Sequence, residues 1–167
     1  LKFWGNDEKP GLIDLVIFFK SKAMEESNNS HTDDKGNIKK HSHGDYGLLA
    51  IDDEGDIQGV NTTWYSRFGQ RPFQKGDVKN PDEPLWNIGA AMTFWLGKLA
   101  WYLTGDSEAI RKSDMDFSKM TLNDWYCAES LYGPGDEKVG WPNPNNLTDH
   151  AKSIRNRFLH YRKHVFE

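Results

Sequence analysis

The sequence predicts an α+β fold, mainly α-helical, with one small β-hairpin beside the first long helix. Three observations carry this reading. Apolar residues recur at three- and four-residue spacing in four separate stretches, the period of a helix with one buried face. Only the run Tyr46–Ile51, YGLLAI, and a segment shortly after it read as strand. Aromatic residues make up 13% of the 167 positions and charged residues 28%, with seven tryptophans. That composition suits one globular domain over residues 1–167, large enough to bury a core, rather than a disordered chain.

Leu1–Pro10 is an irregular lead-in with Phe3 and Trp4 as anchors. In the helix Leu12–Ser27, the residues Leu12, Leu15, Val16, Phe19 and Ala23 mark an apolar stripe. Eleven residues beyond Leu15, close to three full turns, the stripe reaches Glu26. Asn28–Gly44 is polar and aperiodic, hence a loop, and a loop longer than ~12–15 residues points to function. Tyr46–Ile51 is the first arm of the hairpin, Asp52–Gly59 is turn-like, and Ile57–Tyr65 supplies the second arm. Arg67–Pro84 is again loop, punctuated by Pro72, Pro81 and Pro84. The strongest helical signal follows. Ile88, Ala91, Met92, Trp95, Leu96, Leu99, Tyr102 and Leu103 cover a wide apolar arc, and Gly105 suits the C-cap. This helix should be the central one. Thr121 caps a helix running to Leu131, with Asp124 in the capping-box place. Gly133–Asn146 is rich in Pro, Gly and Asn and reads as loop. Thr148 caps a last helix whose inner stripe is Ala151, Ile154, Phe158, Tyr161 and Val165. Its basic residues gather towards the C-terminus, where they favour the helix dipole.

Composition also excludes functions. A net charge of −4 argues against a nucleic-acid groove as the main site. One cysteine, Cys127, rules out an internal disulfide and reads as a buried structural thiol. No stretch nears the ~18 apolar residues of a membrane span. The first residues carry no signal-peptide pattern, and a start at Leu1 suits a processed or excised domain. Tryptophan serves in cores, and it also packs flat on sugar rings.

Glu26 is the leading chemical candidate. A carboxylate at a helix C-terminus feels the negative end of the dipole, and partial burial disfavours its charged form. Both effects raise the pKa towards what a general acid needs. Glu25 is the rival, about 100° round the helix and facing away from the stripe. A rival constellation is His41-Ser42-His43-Gly44-Asp45 with His31, Asp33 and Asp34 nearby. Its His-x-His-x-Asp spacing suits zinc. It lacks a histidine after the aspartate and an apolar strand before it, so solvated loop histidines are the better reading. Asp52-Asp53-Glu54-Gly55-Asp56 lacks the EF-hand calcium spacing. No metal or cofactor is expected.

With these residues in view, the chain resembles goose-type lysozymes and soluble lytic transglycosylases. Glu26-Ser27 after an amphipathic helix is similar to that family's Glu-Ser pair. Gly47-Leu48-Leu49 followed by Ile51-Asp52 resembles its Gly-Leu-Met-Gln signature. Asn87-Ile88-Gly89 opening a long helix, and Tyr132-Gly133-Pro134-Gly135 followed by Val139, continue the likeness in order. Phe158, Tyr161 and His164 resemble the C-terminal helix. The departures are Ala50, where the family has Gln, and Gly133, where it has Asn.

The resemblance implies a lysozyme-like fold and a muramidase cutting the β-1,4 bond between N-acetylmuramic acid and N-acetylglucosamine in peptidoglycan. It implies Glu26 as catalytic acid, Asp52 or Asp45 as second carboxylate, and Ser27, Tyr46, Gly47 and Tyr132 at the substrate. For the second carboxylate, spacing leaves Asp33 and Asp34 open as well. Two carboxylates suit hydrolysis; Glu26 alone would suit a lytic transglycosylase forming an anhydro sugar. The implied partners are peptidoglycan glycan strands and, for an antibacterial effector, an immunity protein. The implied setting is secreted or periplasmic. A glycan- or protein-binding module without catalysis is the non-enzymatic alternative.

Overall fold

Trp95 stands at the middle of an aromatic core. Its ring lies 5.2 Å from Phe18, 5.4 Å from Phe19 and 5.7 Å from Trp125. Phe158 closes the cluster on Phe18 and Tyr126. Aromatic pairs at these spacings stabilise beyond the area they bury. The computed structural model describes residues 5–6, 9–41, 44–112, 115–116, 119–131 and 140–166. Among these are six helices: α1 (Leu12–Ser27), α2 (Gly55–Phe68), α3 (Pro84–Thr104), α4 (Ala109–Lys112), α5 (Leu122–Ser130) and α6 (Asp149–Phe166). A 3₁₀ turn covers Asp77–Lys79. Helix α3 is central, packing on α2, α4 and α5, while α6 packs on α1 and α5. A single cluster of buried apolar residues draws on five of the helices and on the turn around Leu49. Among the described residues, no helix is long and apolar enough to cross a membrane.

The mainly helical prediction holds, and the small hairpin does not. Residues Ile57–Tyr65, expected as its second arm, lie inside α2. Ile57 and Val60 are buried and Trp64 packs against the core, which is helical spacing. Within the helix the hydroxyls of Thr62, Thr63 and Ser66 are satisfied. They donate to the carbonyls of Gln58, Gly59 and Thr62 at 2.8–3.1 Å. The Trp64 indole N–H donates to Thr93 Oγ1 of α3, fixing the two helices together. What remains of the expected β structure is a set of isolated bridges, including Lys40–Tyr46 and Tyr46–Ile51.

Helix α1 forms as expected, but its buried face is turned by about one residue, ~100°. Val16 is 62% and Leu12 45% exposed, while Asp14, Ile17, Phe18, Ser21 and Lys22 are buried. Phe19 and Ala23 are buried as predicted. The reason is that polar residues on the inner face have partners. Asp14 accepts from Arg162 Nε of α6 at 2.7 Å and from the Gly11 N–H at 2.8 Å. A hydropathy pattern assigns such residues to the surface, and only pairing makes their burial tolerable.

Helices α3, α5 and α6 match expectation, and the short α4 was not foreseen. Pro84 opens α3 and Gly105, at φ 76°, ends it. Thr121 Oγ1 accepts the Asp124 N–H, and Asp124 Oδ2 accepts the Thr121 N–H at 2.6 Å, the predicted capping box. Thr148 Oγ1 accepts the Ala151 N–H at the start of α6. Ala151, Ile154 and Phe158 of α6 are fully buried. Cys127 is a buried free thiol.

Candidate active site

Glu26 stands one residue from the end of α1, and the backbone explains why the helix stops there. Asn28 turns left-handed at φ 56°; its N–H bonds back to the Met24 carbonyl, and the Asn29 N–H bonds the Ala23 carbonyl. The Ser27 carbonyl, which has no partner in the helix ladder, accepts from Lys39 Nζ at 2.6 Å. An ammonium at a helix C-terminus is favoured by the dipole. The Ser27 hydroxyl is buried and donates to the Ala23 carbonyl.

Lys39 links this end to the 46–51 turn, because its carbonyl accepts the Gly47 N–H at 2.7 Å. The turn is seated on α3 by one side chain. Buried Asn87 accepts the Leu49 N–H at 2.8 Å and donates to the Tyr46 carbonyl at 2.7 Å. Gly47 at φ +74° passes so close that a Cβ would lie 2.8 Å from both Asn87 Nδ2 and His31. Only glycine fits. His31 holds the other side: Nδ1 accepts the Leu48 N–H, and Nε2 lies 2.8 Å from the Asn80 carbonyl. Those two bonds fix the neutral Nε2–H tautomer. The Glu26–Ser27, Gly47–Leu49 and Asn87 segments are therefore joined through consecutive hydrogen bonds. Tyr132 and the turn that follows it lie outside the described residues.

The Glu26 carboxylate enters a group that the sequence did not disclose. Its Oε1 is 3.2 Å from His150 Nε2 and 3.5 Å from Lys22 Nζ. Glu129, fully buried on α5, places Oε1 2.5 Å from Lys22 Nζ and 3.1 Å from His150 Nε2. Glu129 Oε2 has no hydrogen-bond partner among the described residues. Two carboxylates thus face one ammonium and one imidazole, a balanced set when His150 is protonated.

The direction of the Glu26 pKa corrects the expectation. Burial raises it, but the His150 hydrogen bond and the Lys22 charge outweigh burial and hold it below the usual value. Burial pushes His150 down, yet hydrogen bonds to Glu129 and Glu26 lift it to about 9. At neutral pH the shared proton therefore rests on His150.

The other predicted residues are placed as follows. Glu25, off the predicted stripe, accepts from Ser153 Oγ at 2.7 Å and from Arg157 Nε at 2.9 Å, tying α1 to α6. Asp52 Oδ2 accepts the Gly55 N–H, the first of α2, at 2.7 Å, and Asp56 Oδ2 accepts the Asp52 N–H. Asp45 and Asp52 neighbour Asp56, whose pKa is raised by burial and then by their charges. Asp53 accepts the Gly76 N–H and pairs with Lys79 at 2.9 Å. The Tyr46 ring lies under Lys79, 4.5 Å away. Asp33 closes its own loop on Asn37 and Lys35.

The His-x-His-x-Asp reading finds a structural use for its first residue. His41 Nε2 bonds the Gly47 carbonyl at 2.8 Å; His43 lies outside the described residues. A different trio has metal-ligand character. Glu26, Glu129 and His150 bring ligand atoms within 4.8 Å of one another. The Lys22 ammonium already sits between the two carboxylates and supplies their positive charge. An ion at this site would have to displace it.

Lys22, Glu129 and His150 are the residues that sequence reasoning missed. Lys22 left a trace: Phe18, Lys22 and Glu26 fall on one row of α1 at four-residue steps, with Phe18 and Lys22 buried and Glu26 half-buried. Glu129 and His150 left none, because they meet Glu26 only through tertiary packing. Comparison with known proteins returns no matching family model, no matching curated protein and no matching solved structure.

Proposed function

We propose that this chain is a peptidoglycan glycosidase, a muramidase, with Glu26 as the proton donor at the scissile bond. One observation carries the proposal. The Glu26–Ser27 helix end, the Gly47–Leu49 turn and Asn87, three motifs of the lysozyme resemblance, are linked by hydrogen bonds through Lys39 and Asn87. Nothing in local sequence requires segments so far apart to meet.

In this reading Glu26 protonates the leaving oxygen, and an oxocarbenium-like centre develops on the sugar. The resting proton on His150 reaches Glu26 across their 3.2 Å contact as substrate displaces water and changes the balance of charge. A water activated by Asp52 or Asp45 completes an inverting hydrolysis, which places the carboxylates roughly 6.5–9.5 Å apart. A second reading has its own support. Asp52 Oδ2 is engaged by the Gly55 N–H at the start of α2, which favours Glu26 acting alone, as acid and then base, in a lytic transglycosylase. The glycan strands of the wall are the partner, and the site of action is outside the cytoplasm. An antibacterial effector of this kind would have an immunity protein.

The test is turbidity of purified cell walls. Wild type should clear them and Glu26→Gln should not, while both remain folded. Near-wild-type lysis by Glu26→Gln overturns the assignment. Asp52→Asn or Asp45→Asn should lower turnover by roughly 10²-fold. Full activity in both, with 1,6-anhydro products, replaces hydrolysis by the transglycosylase route. Binding to walls without cleavage by wild type makes the domain a glycan-binding module.

A further inference from the structure

A second site lies on a different face. A cavity of about 740 Å³ opens between the start of α5 and the outer part of α6. Lys9, Lys119, Arg155 and Arg162 line it, and no carboxylate does among the described residues. In a chain of net charge −4, four cations around one cavity leave a strong local positive field. Arg162 is anchored through Nε to Asp14. Lys9, Lys119 and Arg155 pair with no acid among the described residues.

The floor of the cavity holds an independent observation. Tyr126 lines it and is 4% exposed, and its hydroxyl has no hydrogen-bond partner among the described residues. A buried phenol without a partner is unfavourable, because its hydroxyl has given up water and gained no bond. Arg162, Arg155 and the buried Asp14 carboxylate all lie close to that neutral hydroxyl. Leu122 and Leu159 add apolar wall beside these groups. The N-terminal dipole of α5 is already met by Asp124, so side chains carry the recognition.

We propose that this cavity binds a small soluble organic diphosphate, its phosphoryl oxygens held by Arg155, Lys119 and Lys9 and by the Tyr126 hydroxyl. Guanidinium forks and point-charge ammoniums match phosphoryl oxygens. A diphosphate carries enough charge to answer three unpaired cations, where one carboxylate does not. The volume falls in the range of small-molecule pockets, and the leucines fit an apolar body next to the charged end. The site is independent of the glycosidase reading.

Inorganic pyrophosphate is the probe, followed by isothermal titration at low salt. Saturable one-to-one binding is expected. Arg155→Gln and Lys119→Gln should each weaken it roughly tenfold, in the range of one charge-assisted contact. Tyr126→Phe should weaken it about threefold or more, since it removes only the hydroxyl. Lys75→Gln, an exposed cation elsewhere, should leave it unchanged. No saturation at millimolar pyrophosphate overturns the proposal. So does equal weakening by Lys75→Gln, which would mean general charge attraction, or equal affinity for citrate, which would mean no phosphoryl selectivity.

Discussion

Raising the pH from 6 to 10 should destabilise the fold through His150. Its pKa is about 9 in the folded chain against an ordinary 6.5. A raised folded pKa means the native state holds the proton more tightly than the unfolded state. The resulting stability is present in full below about 6.5 and is lost as the pH climbs through about 9. The difference of 9 − 6.5 = 2.5 units, at ~1.36 kcal/mol per unit, gives about 3 kcal/mol. The His150 side chain is 27% exposed, so water screens part of this and the figure is an upper bound. With a urea m-value of ~2 kcal/mol/M, the midpoint should fall by up to ~1.5 M. Urea melts at intervals between pH 6 and 10, on wild type and on His150→Gln, are the assay. The decline should be present in wild type and largely absent in the variant. On the acid side the sign reverses. Glu26 is held below its ordinary value, so its contribution is present above pH 4.5 and lost as pH falls through the lower folded value. Parallel alkaline declines in the two proteins, or an NMR titration midpoint for the His150 ring between 6 and 7, would refute the reasoning.

Other outcomes follow from the same contacts. Lys22→Met should cost about 3–5 kcal/mol at pH 7, because Glu129 is left buried without its ammonium; a smaller loss at pH 5 than at pH 7 in thermal melts would identify charge as the cause. Asn87→Ala should cost about 2–4 kcal/mol by stranding the Leu49 N–H and the Tyr46 carbonyl, read from urea midpoints. Gly47→Ala should cost about 2 kcal/mol or more, since an L-residue in the left-handed region costs ~1–2 kcal/mol and Asn87 and His31 must also move; a neutral effect would contradict the close approach described. Wall-lytic activity should survive prolonged EDTA treatment and the His41→Ala substitution, and activity restored only by zinc would overturn the glutamate mechanism.

Where the sequence was informative, local chemistry decided the outcome. Thr121 with Asp124, Pro84 and Gly105 are signals whose meaning lies within one or two turns of chain, and each sits where its pattern required. The expected strand at Ile57–Tyr65 failed for the converse reason. Thr62 and Thr63 favour strands when their hydroxyls are idle, and here both bond carbonyls four residues back. Propensity gives way once tertiary packing buries Ile57 and Val60 on one face.

The face of α1 shows the same limit more sharply. Hydropathy placed Val16 inside and left Lys22 off the stripe, whereas Val16 is exposed and Lys22 is buried. A lysine enters a core only if carboxylates meet it there, and those belong to Glu26 on its own helix and Glu129 on another. The second of these is invisible until α5 packs beside α1. The expected acidity of Glu26 failed for the same reason. Dipole and burial were legible from its place in the helix, and both act to raise the pKa. Lys22 and His150 oppose them from a few ångströms away, where charge–charge terms exceed a helix-end dipole. The position of the carboxylate was thus readable in the chain, but its protonation belongs to the assembled group.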